Sequence, residues 1–322
     1  MNQNVEWSNP PIRVSGLWAG LALGWAVVSI LGHLPFSIWL VSQRAGASGP
    51  WAFKDAVPYV SMLAALVLCL WVWRQSRSAS SARLRVVGLS WLVWLACCVM
   101  VDRWLTFTVN EYAHYPQFAL LAWLWARALD GERTRWPVLS VVLITTLLGA
   151  LDETAQYLWT TQSYSHYLDF NDWLVNGLAA WAGVMLFYGF HEPAPSASLL
   201  SWRSRAAWVA AALALALGTA LATCGCVRLT PDPGVQIGPG GMDQKVLYLQ
   251  RAEGWYGHWH PGPRHGRYWV IHPLPALALL GLGLLGVAAF ARSASGSGGA
   301  ERSPRPQAST LNSPLHSQGP SQ

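Results

Sequence analysis

Charge is scarce in this chain. Of its 322 residues only 11% are Asp, Glu, Lys or Arg, while 53% are hydrophobic, a balance that excludes an ordinary water-covered domain. Cysteine is scarce as well: Cys69, Cys97, Cys98, Cys224 and Cys226 make an odd set with no zinc-like spacing. Cys69, Cys97 and Cys98 fall inside apolar blocks and read as small buried residues. Cys224 and Cys226, in "LATCGC", keep thiol chemistry in reach, although a bridge across one intervening residue is strained. No internal repeat is visible, which argues against a transporter built from duplicated halves. The opening "MNQNVEWSNPPIRV" has no basic n-region, and the first apolar block is too long for an h-region, so it reads as a retained anchor. The pI near 9.2 does not imply nucleic acid, because the arginines form no patch interleaved with aromatics.

What the chain does have is apolar length. Blocks long enough to cross about 30 Å of hydrocarbon alternate with short charged stretches, and 21 tryptophans gather near the ends of those blocks. The expected fold is all-α, a polytopic transmembrane helix bundle of about eight spanning helices, at 14–41, 56–73, 86–103, 110–129, 137–157, 172–190, 206–227 and 268–291. An N-terminal hairpin and basic loop (1–85) precede a core (86–191). An additional pair of spans (192–292) follows, with a long outer loop at 228–267. A tail at 293–322, rich in serine, glycine and proline, is expected to be disordered. The stretch "SWRSRAAWVAAALALALGTALATC" also has the look of a lipoprotein signal, but six spans precede it, and an ordinary spanning helix is expected. With both termini cytoplasmic, the inner segments hold 13 of the 21 cations and 5 of the 15 acids. That is the asymmetry of the positive-inside rule.

In this orientation the intramembrane polar residues reach one level. Span five ends in "LDETAQ", span four begins in "NEYAHYPQ", and "LDFNDWLVNG" leads into span six. Glu111 and His114, Asp152 or Glu153 with Gln156, and Asp172 with Asn176 are spaced to stack on single helix faces. A charge deep in lipid costs roughly 2.5–3.5 kcal/mol, so each pair is expected to face the bundle interior. Together they would line one outer-leaflet polar pocket. The simpler alternatives are that Asp152 and Glu153 end a helix at the water surface and that Asp172 caps span six. His258, His260 and His265 in the outer loop carry an H-x-H spacing open to a transition metal. No cofactor is implied.

At these positions, "EYAH", "DETAQ" and "DWLVN" in order, the chain resembles the VanZ-like family of bacterial membrane proteins, named for a protein associated with teicoplanin resistance. The likeness covers about residues 100–190. It implies a shared site of His114, Asp152, Glu153, Gln156, Asp172 and Asn176, with Gly183 as a small packing residue. Glu111 stands where many members have Lys, and Gln162 or His166 where many have Arg. The resemblance implies a cytoplasmic-membrane protein of the bacterial cell envelope, acting in glycopeptide resistance by binding a lipid-linked envelope precursor or a lipoglycopeptide. Membrane lipids are its other expected partners. A hydrolase or transferase of lipid-borne groups with His114 or Glu153 as base, and a proton-coupled transporter, are the alternatives from the residues themselves.

Overall fold

The computed structural model describes residues 15–46, 53–155, 168–192, 216, 219–231 and 246–295. Seven helices dominate these residues: α1 Gly16–Gly46, α2 Phe53–Ser76, α3 Ser81–Trp104, α4 His114–Leu129, α5 Val138–Ala155, α6 Phe170–Tyr188 and α7 Pro273–Ser295. Three of them are long and apolar enough to cross a membrane: α3, α5 and the Pro273–Arg292 part of α7. Shorter apolar stretches, Gly16–Gly32 and Met62–Ser76, lie in α1 and α2. The chain is thus mostly helical, with three such candidates where the sequence suggests about eight spans. Most of the expected span 206–227 lies outside the described residues, although 216 and 219–223 are helical. The expected disordered tail also lies outside them, beyond Ser295.

Helix ends depart from the hydropathy blocks for local reasons. The Ser80 hydroxyl accepts a hydrogen bond from the Arg83 backbone N–H at 3.1 Å, so α3 starts at residue 81 and not 86. Asp169 does the same for the Asn171 N–H at 2.9 Å, starting α6 at 170. Ahead of α4 the backbone tightens into a 3₁₀ turn over Val109–Ala113, which removes Glu111 from the α4 surface. The last helix begins at Pro273, where the missing donor costs nothing.

The bundle is built around α6, whose buried residues lie on nearly every side. It packs most extensively on α4. Ala122, Ala126, Ala179 and Ala182 keep that seam thin, and at Gly183 a Cβ would stand 2.3 Å from the Ala119 carbonyl oxygen and 2.7 Å from the Ala122 Cβ. Close backbone approach of this kind is what small residues give helix pairs. Helix α1 covers α4 through Ala22, Ala26, Phe118 and Leu121, and the Trp25 indole donates to the Gln117 carbonyl at 3.0 Å. Helix α7 packs on α3, α5 and α6 within the same bundle. Large apolar residues such as Leu63, Leu92 and Leu285 point outward from α2, α3 and α7.

The expectation of an all-α chain needs correction. The segment expected as a loop contains β1 Val227–Pro231 paired in parallel with β2 Leu247–Gln250, and a hairpin of β3 Trp259–Gly262 and β4 Gly266–Trp269. Apolar length marks spans but is blind to strands of four or five residues with prolines and glycines among them. The hairpin register pairs His260 with Tyr268 and Gly262 with Gly266, and the turn closes at Gly266 with φ +76°.

Candidate functional site

Three helix ends meet where the polar pairs were expected: the first turn of α4, the last turn of α5 and the first turn of α6. Each contributes one chemically active side chain. His114 opens α4 and is 4% exposed, its ring edge-on to Phe118 at 5.9 Å. Its Nε2 lies 4.0 Å from Oε1 of Glu153, which is 10% exposed. Asp172 completes the group, with one donor atom from each of the three residues lying within 4.8 Å of the others. Among the described residues this is the one set of three or more His, Cys, Asp or Glu side chains so close together. Two helix N-termini, those of α4 and α6, bring their positive dipole ends to the same place, which favours carboxylates there.

The neighbouring residues show how the backbone permits this convergence. Asn176, one turn after Asp172, is fully buried. Its amide sits where a Cβ on Gly149 would be, 2.8 Å from Nδ2, so α5 and α6 touch through a glycine. Asp152 is fully buried, one turn beyond Gly149. Neither side-chain polar atom of Asn176 has a hydrogen-bond partner among the described residues, and neither has Oε1 of Glu153.

Other expected site residues are placed differently. Glu111 turns its carboxylate to the backbone of the α3–α4 connection, accepting from the Phe107 N–H at 3.0 Å and the Thr108 N–H at 2.8 Å. Gln156 lies outside the described residues, as do Gln162 and His166. Asp172 is not the cap of α6; Asp169 is, which leaves Asp172 available to the cluster. The rings of His258 and His260 lie 4.4 Å apart, but among the described residues the loop histidines form no set of three metal-ligating side chains. His260 Nε2 is 2.8 Å from the Trp255 carbonyl, His258 Nδ1 is 3.3 Å from the Tyr256 carbonyl, and His265 faces Asp102 of α3 at 3.2 Å. The two thiols of Cys224 and Cys226 lie 2.6 Å apart.

Several residues not singled out from the sequence hold this end together. Arg251, in the stretch after β2, pairs with Asp169 at 2.8 Å. Asn171 donates to the Leu105 and Trp269 carbonyls, at 2.9 and 3.0 Å, and accepts from the Ile271 N–H at 3.1 Å. Asp102 receives Arg264 at 2.9 Å and the Tyr112 hydroxyl. Through these contacts the strand-bearing segment docks on the helix ends. The N-cap pattern of an Asp before an apolar run could have flagged Asp169. Nothing local could have paired it with a cation 82 positions away.

The electrostatics are one-sided. The Glu153 carboxylate has Asp152, Asp169 and Glu111 as its neighbouring charges, and Asp172 has Glu153, Asp169 and Glu111, with Arg251 opposing them. At the other end of α6 the signs reverse. The guanidinium of Arg83, 1% exposed, donates through Nε to the Gly189 carbonyl at 2.5 Å and through Nη2 to Tyr188 at 3.3 Å. Arg133 Nε reaches the Phe187 carbonyl at 2.9 Å. Burial, then the charges of Arg133 and Arg83, hold the nearby His191 below its ordinary pKa.

Comparison with protein-family models, with curated proteins and with solved structures returns no match to this chain. The site is therefore interpreted from its own chemistry. Beside the polar row on α6 runs an apolar one. Trp173, Gly177 and Trp181, spaced by four, the first two each one residue after Asp172 and Asn176, line a groove of about 800 Å³. Trp104 and Leu105 from the α3 end, Leu147 of α5 and Leu280 of α7 form its other walls. Consecutive helix residues are about 100° apart, so the Asp172–Asn176 row and the groove row are adjacent faces of one helix.

Proposed function

We propose that this chain is an integral protein of the bacterial cytoplasmic membrane, with both termini inside and the Glu153 end near the outer surface. There it binds a lipid-linked or amphiphilic ligand of the cell envelope. The observation that carries this reading is the adjacency on α6 of a buried polar row and an apolar groove. A polar head can lie at His114, Glu153 and Asp172 while a hydrocarbon chain follows the groove. Three helices long and apolar enough to span, and large apolar side chains turned outward, support the membrane setting. The arginine asymmetry of the sequence supports the orientation.

The resemblance to the VanZ-like family rests on "EYAH", "DETAQ" and "DWLVN" alone. It supports a ligand among wall precursors or glycopeptides of the teicoplanin type. Where that family pattern has an arginine, this chain lacks one, and Arg251 supplies a cation beside Asp169 from a different part of the sequence. The test is a teicoplanin or envelope-stress phenotype in cells carrying His114→Ala or Glu153→Gln at wild-type abundance. Loss of the phenotype is expected; an unchanged phenotype would contradict the proposal.

A second reading, hydrolysis or transfer of a lipid-borne group, is favoured by the 4.0 Å approach of His114 to Glu153, since a buried carboxylate beside an imidazole is a workable base. Turnover of lipid-linked substrates by purified protein, lost in Glu153→Gln, would support it. The transporter reading has no comparable support, because the polar cluster occupies one end of α4–α6.

A further inference from the structure

We propose that His114, Glu153 and Asp172 are the protein ligands of a divalent first-row transition cation, with Zn²⁺ the best-fitting ion. The inference does not depend on the amphiphilic ligand or on the family resemblance. One imidazole and two carboxylates form a mixed nitrogen and oxygen set. Such a set suits zinc and its neighbours better than calcium or magnesium, which prefer oxygen alone. Three protein ligands also leave a fourth position for water or for an oxygen of another molecule.

The distances fit a site that closes around an ion. Ligand atoms held at roughly 2.0–2.2 Å from a tetrahedral zinc lie roughly 3.3–3.6 Å from each other. Here they lie within 4.8 Å, with the His114–Glu153 pair at 4.0 Å. Small side-chain rotations, of which a glutamate has three, bridge the difference. The same distances are too long for a hydrogen bond between His114 and Glu153, which needs about 2.7–3.2 Å. His114 therefore does not satisfy Oε1 of Glu153.

Two further observations point to a cation. Oε1 of Glu153, an acceptor, is buried without a hydrogen-bond partner among the described residues. Buried polar groups normally find partners. Moreover Glu153 has Asp152, Asp169 and Glu111 as neighbouring charges, and Asp172 has Glu153, Asp169 and Glu111 with Arg251 opposing them, while Arg251 is held on Asp169 at 2.8 Å. A divalent ion between Glu153 and Asp172 offsets the remaining repulsion. The ligands stand on three packed helices, so the geometry is set by the bundle and not by a loop.

The test uses full-length protein purified in detergent, stripped with a chelator, and titrated separately with Zn²⁺ and Co²⁺. Bound metal is counted by mass spectrometry after gel filtration, and Co²⁺ is read by its visible absorption. One equivalent is expected. Glu153→Gln and Asp172→Asn should each weaken binding by more than the roughly 10–100-fold seen when a supporting residue is lost. The triple variant His258→Ala/His260→Ala/His265→Ala should keep the full equivalent. Gel-filtration profile and thermal unfolding of the stripped variants check that they fold. If they do not, the Co²⁺ spectrum of the wild-type protein decides, through the presence or absence of bands from one imidazole and two carboxylates. Wild-type protein that holds no more metal than Glu153→Gln/Asp172→Asn, or whose metal disappears with the loop histidines, would overturn the proposal.

Discussion

The two ends of α6 carry opposite charge and treat it in opposite ways. At its C-terminal end Arg83 and Arg133 reach the backbone carbonyls of Tyr188, Gly189 and Phe187. In the adjoining turn Asp130 accepts from the backbone N–H groups of Thr134, Arg135 and Trp136. These charges close the helix end and shape a tight connection in which Arg133 and Trp136 take positive φ. At the N-terminal end Asp169, Asn171 and Glu111 do similar structural work. Glu153 and Asp172 make no such contact with backbone among the described residues; with His114 they bring one ligand atom each to within 4.8 Å of one another. The difference teaches where to look for function: charges bound to backbone specify the fold, and carboxylates gathered beside an imidazole, as Glu153 and Asp172 are beside His114, are placed to meet a ligand.

The comparison can be broken or sharpened by substitution, and the largest effect is expected at the seam joining the two ends. Gly183→Val would drive a side chain into the Ala119 carbonyl oxygen and Ala122. Overpacking there should cost at least about 3 kcal/mol, read as loss of folded protein in detergent. Next is Arg83→Ala, which takes the guanidinium from the buried Gly189 carbonyl, leaves Tyr188 only its bond from the His191 N–H, and removes packing on Trp136 and Phe290. A loss of about 2–4 kcal/mol is expected in thermal or denaturant unfolding. Asp169→Ala at the other end removes both a helix cap and the Arg251 pair, for about 1–2 kcal/mol. Glu153→Gln should not lower stability, because it removes a buried charge beside Asp152, Asp169 and Glu111, while abolishing the envelope phenotype. A large destabilisation by Glu153→Gln would erase the distinction between the ends. His258→Ala, on an exposed ring, should change neither stability nor function measurably.

Much of this was legible in the sequence because helix periodicity and apolar length are local properties. "DETAQ" and "DWLVN" carry their own spacing, so the placement of Glu153 and Asp172 on helix ends needed no knowledge of the partner. Their meeting with His114 depended only on consecutive antiparallel helices. Glu111 does not share a helix face with His114, because residues 109–113 form a 3₁₀ turn and not a continuous α-helix, and its carboxylate accepts from the backbone of residues 107 and 108 while staying a neighbouring charge of Glu153. Arg83 looked like a basic loop residue, yet α3 starts earlier than its apolar block and carries Arg83 into the core. The docking of Arg251, Arg264 and His265 on Asp169 and Asp102 spans more than 80 positions. Such pairings come from tertiary packing, and no pattern within a window reports them.

The convergence of α4, α5 and α6 on one accessible site is tested most directly with paired cysteines in the membrane-embedded protein. His114→Cys/Asp172→Cys should be joined by a short bifunctional thiol reagent, and His258→Cys, on the exposed loop that docks on these helix ends, should react with a membrane-impermeant maleimide added from outside the cell. Absence of the cross-link in folded protein, or labelling only after the cytoplasmic side is opened, would contradict both the site and its orientation.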